Sequence, residues 1–152
     1  MPTHSENASH GHAVFPWIQL ASLVVGAVLF LFGLVGFWVT GFLPLPPTEH
    51  GPTMLGMELN PLRTGCYLVL GVAGMACATK LPAARVYGWI LAAVGLVLTG
   101  FGVVTLLVPG TDVLSMNVTA TVVSAVMIAV GLVIALGRVR SAAPYEPLER
   151  AV

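Results

Sequence analysis

Charge is what this chain has least of. Of its 152 residues only 8% are Asp, Glu, Lys or Arg, against roughly 25% in a soluble domain. So few charges cannot cover a water-facing surface, and the mean hydropathy of +0.96 points to lipid as the solvent. No Asp, Glu, Lys or Arg occurs in 7–48, 64–79, 86–111 or 113–137. The apolar runs also lack carboxylates and histidines. That argues against a proton-coupled carrier, which needs an intramembrane acid or His. It argues equally against a b-type haem protein, which needs axial His inside its bundle. Cysteine is nearly absent as well. Cys66 and Cys77 form no Cys-x-x-Cys pair, so thiol oxidoreductase chemistry has no motif to stand on. Net charge is zero, and nothing suggests nucleic acid as a partner.

What remains is hydrophobic length. A spanning helix needs roughly 17–25 mainly apolar residues, and four stretches qualify: 16–41, 61–80, 86–108 and 115–137. The expected fold is an all-α integral membrane bundle of four transmembrane helices, arranged as two tandem helical hairpins. Residues 1–12 read as a disordered tail, 13–140 as the membrane domain and 141–152 as a second tail. The first span has no preceding Lys or Arg and exceeds a signal peptide's apolar core, so it should be retained.

Asn60 and Asn117 each open an apolar run. Asn is a good helix N-cap, and Pro61 suits the first helical position. Arg63 is expected to face headgroups. Residues 42–59 form the longest loop, either lying on the membrane surface or folding over the bundle, and 81–84 read as a tight turn. The two Asn-led spans repeat. Asn60, Thr64, Tyr67, Gly71, Gly74 and Ala78 align with Asn117, Thr121, Ser124, Ile128, Gly131 and Ala135, four of the six being identical. Spans one and three align as well, Gly26 with Gly88 and Leu29 with Leu91. The 4-3 spacing draws small residues into one seam per helix. Gly26, Gly33, Gly71, Gly74, Gly88, Gly95, Gly102 and Gly131 are the expected packing positions, because small residues let membrane helices approach closely. Phe30, Phe32 and Leu98 are expected to face lipid.

Lys80, Arg85, Arg138, Arg140 and Arg150 fall on one side of this arrangement and Arg63 on the other. The positive-inside bias then puts both termini in the cytoplasm. Trp17, Tyr87 and Trp89 would mark the inner interface, and Trp38 and Phe42 the outer one.

The order "LNPLR…YLVLGVAGMA" after a Pro-rich loop, with "ARVYGWILAAVGLVLTGFG" and "VGLVIALGR", resembles the uncharacterised four-span family called domain of unknown function 4383. The resemblance covers about residues 20–138. It implies a four-span fold and a high-GC bacterial host, but no activity. That family's pattern places a His where this chain has Tyr67, so no ligand role for such a His carries over.

Candidate chemistry is sparse. His4, His10 and His12 could bind Cu(II) through nitrogen donors if Met1 is removed, against the ordinary reading of a solvated tail. His50 with Glu49 and Glu58 could hold a divalent ion, although the spacing matches no standard site. Tyr67 could contact a quinone or lipid, against the ordinary reading of a packed core tyrosine. No cofactor and no catalytic residue is expected. The leading expectation is a non-catalytic accessory or scaffold subunit of a larger membrane complex, respiratory or cell-envelope, seated among lipids in the cell membrane. The alternative is a small passive transporter or lipid- or quinone-handling protein. A membrane enzyme using loop residues ranks third.

Overall fold

The computed structural model describes residues 16–40, 52–108 and 114–138. Among these are four helices: α1 Trp17–Thr40, α2 Pro61–Cys77, α3 Leu81–Leu107 and α4 Val118–Leu136. Two short strands, β1 Thr53–Met54 and β2 Met57–Glu58, precede α2. Three of the helices, α1, α3 and α4, are long and apolar enough to cross a membrane, whereas α2 is apolar but has only 17 residues. Long aliphatic side chains run along the outside of the helices, among them Leu20, Leu31, Val69, Leu96 and Val133, and Trp38 is 91% exposed. A soluble monomer rarely exposes so much contiguous apolar surface.

Each Asn-led helix starts the same way. The Asn60 side chain accepts from the Leu62 N–H at 2.9 Å, and Thr64 Oγ1 donates back to the Asn60 carbonyl at 3.0 Å. At α4 the Asn117 side chain accepts from the Ala120 N–H at 2.8 Å, and Thr121 Oγ1 donates to the Asn117 carbonyl at 3.0 Å. The asparagine satisfies an N–H that the first turn leaves open.

The boundary between α2 and α3 differs from the sequence reading. Residues 81–84 are the first turn of α3, with Lys80 at the N-cap. The connection is the stretch 78–80. Pro82 accounts for the difference. A proline near a helix start costs no hydrogen bond, because that N–H has no intrahelical partner.

α1 packs chiefly on α2, and α3 chiefly on α4. Both pairs cross at glycine. A Cβ on Gly74 would lie 2.8 Å from the Gly26 Cα, and one on Gly131 would lie 2.6 Å from the Gly88 carbonyl oxygen. No side chain fits at either crossing. Between the two hairpins lie larger residues, among them Leu29, Tyr67, Leu70, Tyr87, Leu91, Leu98 and Met127. Three expectations therefore fail. Leu98 is buried, Phe32 packs on this core edge-on to Tyr67 with ring centroids 5.7 Å apart, and Tyr87 is fully buried and marks no interface. Small seams close each hairpin internally, so the volume between hairpins falls to the large side chains.

The segment before α2 is a β-hairpin. Thr53 pairs with Glu58 and Met54 with Met57. Its turn holds Leu55 at φ 52° and Gly56 at φ 75°, the left-handed region that tight hairpin turns require. Met57 and Leu59 are buried, and β2 touches α4. This part of the loop folds over the end of the bundle.

Candidate functional site

Polar side chains gather at the two ends of the bundle. At the cap end, where α2 and α4 begin, Arg63 is 0% exposed. The expectation that it faces headgroups is therefore corrected. Its guanidinium donates to the Ser115 carbonyl at 3.0 Å, contacts Met116 Sδ at 3.4 Å and donates to the Glu58 carbonyl. One arginine thus ties the hairpin before α2 to the residues before α4. The planar fork of donors makes this possible, since it can serve several carbonyls at once. Two further bonds cross the same boundary reciprocally. Asn60 Nδ2 reaches Ser115 Oγ at 3.5 Å, and Asn117 Nδ2 donates to the Gly56 carbonyl at 2.7 Å. Each cap residue serves its own helix and the segment leading into the other. The caps themselves were legible as Asn60 and Asn117, but these contacts, across 55 and 61 positions, were not.

In the middle of the bundle, Tyr67 is 1% exposed and its hydroxyl points toward Ser124, its counterpart in the repeat. Ser124 Oγ donates to the Ala120 carbonyl at 2.9 Å, and the Tyr67 hydroxyl makes no hydrogen bond of normal geometry. The Tyr87 hydroxyl is likewise buried without a partner, next to Gly74. Ser22 Oγ donates to the Gly74 carbonyl at 3.0 Å.

The remaining glycines of the seams sit at close contacts. A Cβ on Gly33 would lie 2.7 Å from the Leu68 nitrogen, and one on Gly95 would lie 2.9 Å from the Ser124 carbonyl oxygen. Gly71 abuts the backbone of Phe30, and Gly102 abuts the side chain of Thr121.

At the opposite, basic end, the Trp17 indole donates to the Arg138 carbonyl at 3.1 Å, and Arg85 donates to the Gly137 carbonyl at 3.2 Å. The sequence reading had assigned these residues no contact. Both bonds join partners more than 50 positions apart, which no local pattern reveals.

His4, His10, His12, Glu49 and His50 lie outside the described residues, as do Phe42 and the two tails. Glu58 is half-buried in β2. Cys66 is exposed, Cys77 is half-buried and both are free thiols. Among the described residues no three His, Cys, Asp or Glu side chains stand together as a metal-binding group.

Apolar helices with bare aliphatic flanks define a multi-pass membrane protein of all-α build. The chain belongs to the family described as "Domain of unknown function (DUF4383)", whose model matches residues 19–137. No curated protein and no solved structure matches the chain.

Proposed function

We propose that this protein is a non-catalytic accessory or scaffold subunit that crosses the cell membrane four times and packs against a larger membrane complex, respiratory or envelope-building. The observation that carries the reading is the contrast between its two surfaces. The space between the hairpins is filled by buried Leu29, Tyr67, Leu91, Leu98 and Met127, while the flanks present bare aliphatic side chains. Such flanks suit neighbouring helices as well as lipid, since membrane helices associate through close packing. A four-span count needs α2 to cross. Its 17 residues extend about 26 Å, and exposed Lys80 just beyond them can reach outward to the interface.

Orientation follows from the same ends. Lys80, Arg85 and Arg138 are exposed, and the contacts of Arg85 and Arg138 lie at the basic end. Arg63, at the cap end, is buried. The positive-inside bias then favours cytoplasmic termini.

The test is a pull-down of a tagged chain from native membranes after mild detergent extraction, read by mass spectrometry. A stoichiometric membrane complex is the expected result. Bulky polar substitutions on the flank of one hairpin should release the chain from it. A second reading, a small passive transporter or lipid- or quinone-handling protein, draws on the Tyr67 and Tyr87 hydroxyls buried inside the bundle. A chain that purifies alone, moves a solute in liposomes and stops when Tyr67 is changed would establish that reading and end the scaffold one.

A further inference from the structure

The basic end carries an open groove of about 350 Å³ lined by Trp17, Leu132, Val133, Leu136 and Gly137. Its size is at the lower end of the range for small-ligand pockets, about 300–1,000 Å³. The walls are apolar, and the rim is cationic. Arg85 donates to the Gly137 carbonyl, and the Arg138 carbonyl receives the Trp17 indole. The Arg85 guanidinium is thereby held against Gly137 at one end of the groove, the backbone of Arg138 adjoins it, and both residues are exposed. Gly137 is part of the arrangement: a Cβ there would fall 2.5 Å from the Trp17 ring, so a side chain would displace the indole from the wall. Glu58 is the one acid among the described residues, and it sits at the cap end. No described carboxylate stands near this rim to neutralise it.

We propose that this groove binds one anionic phospholipid, with an acyl chain along Trp17, Leu132, Val133 and Leu136 and the phosphate at Arg85 and Arg138. The site rests on the reading of the bundle as membrane-spanning. It does not depend on the host complex. In a spanning bundle the helix ends lie at headgroup depth, where an indole is most stable. Guanidinium groups recognise phosphate through paired donors. Basic pockets between spanning helices are suited to anionic head groups. A zwitterionic lipid would satisfy the walls but bring its own cation to the arginine rim, so charge selects the occupant.

The chain has three tryptophans, and replacing Trp38 and Trp89 with Phe leaves Trp17 as the sole indole reporter. The protein is reconstituted in phosphatidylcholine bilayers doped with acyl-brominated phosphatidylglycerol or acyl-brominated phosphatidylcholine. The glycerol lipid should quench Trp17 at lower mole fraction, by roughly fivefold for each arginine engaged. The preference should shrink in about 1 M salt, where the screening length is about 3 Å. Arg85→Gln with Arg138→Gln should abolish the preference while keeping the quenching by phosphatidylcholine, which reports an intact embedded bundle. Lys80→Gln should leave the preference in place. Equal quenching by the two lipids would overturn the site. So would a preference that Lys80→Gln removes as fully as the arginine pair does, since diffuse surface attraction would then explain it. Quenching by neither lipid would instead overturn the membrane-spanning reading itself.

Discussion

Burying a guanidinium between two helix starts requires carbonyls in place of water, and Arg63 meets those of Glu58 and Ser115. Removing the fork leaves these carbonyls without it. A hydrogen bond to a charged group contributes roughly 1.5–3 kcal/mol, so Arg63→Met should lower stability by at least that much in a detergent melt. Arg63→Lys should fall between, because an ammonium cannot serve both carbonyls in the same plane. Tyr67 makes the opposite case. Its hydroxyl is buried without a hydrogen bond of normal geometry, so Tyr67→Phe removes a desolvated group and keeps the ring against Phe32. The expected melt is unchanged or up to about 1 kcal/mol more stable; a clear loss would show that the hydroxyl has a partner in the membrane. Neither environment could be read along the chain. Arg63 depends on Ser115, 52 positions away, and Tyr67 on the neighbouring hairpin.

Helix starts are local events, and here the sequence was informative. A capping side chain bonds to N–H groups two or three residues onward, so Asn60 and Asn117 announce α2 and α4 within a single turn. Pro82 misled because the same residue can end one helix or sit in the first turn of another. The hairpin at 53–58 escaped notice because Leu55 occupies a left-handed turn position usually filled by Asn, Asp or Gly. Spacing also showed which residues are small, but not which large ones fill the space between hairpins, so Phe32 and Leu98 were placed on the wrong side. The crossings permit a direct test on α3. Gly95→Leu forces atoms into the Ser124 carbonyl and the Ile128 nitrogen, whose present separations from a Cβ would be 2.9 and 3.0 Å. Overpacking of this kind costs roughly 1–3 kcal/mol. Ala93 is exposed, so Ala93→Leu should cost much less. Equal losses would remove the crossing as the explanation.

At the scale of the whole molecule, the exposed described cations and the one described acid lie apart, and only buried Arg63 shares the end with Glu58. Exposed Arg85 and Arg138 belong to one end, and the hairpin with Glu58 covers the other. Single cysteines at Glu49 and Ser141, in a chain lacking Cys66 and Cys77, test the orientation proposed from this asymmetry. An impermeant thiol reagent should label the first in intact cells and spare the second; the reverse pattern would invert the protein in its membrane.

The unequal helices have a consequence for the bilayer. α2 has 17 residues and α3 has 27, lengths of about 26 and 40 Å, beside a hydrocarbon slab about 30 Å thick. On the four-span reading, α3 must lean, while the lipids beside α2 must compress. The protein then carries a thinned collar on one flank only, and mismatch of this kind sorts membrane proteins by thickness. Neighbours with equally short spans would collect on that flank without any specific contact. Melting in nanodiscs of graded acyl length should therefore show greatest stability in a bilayer thinner than the 24-residue α1 would choose alone.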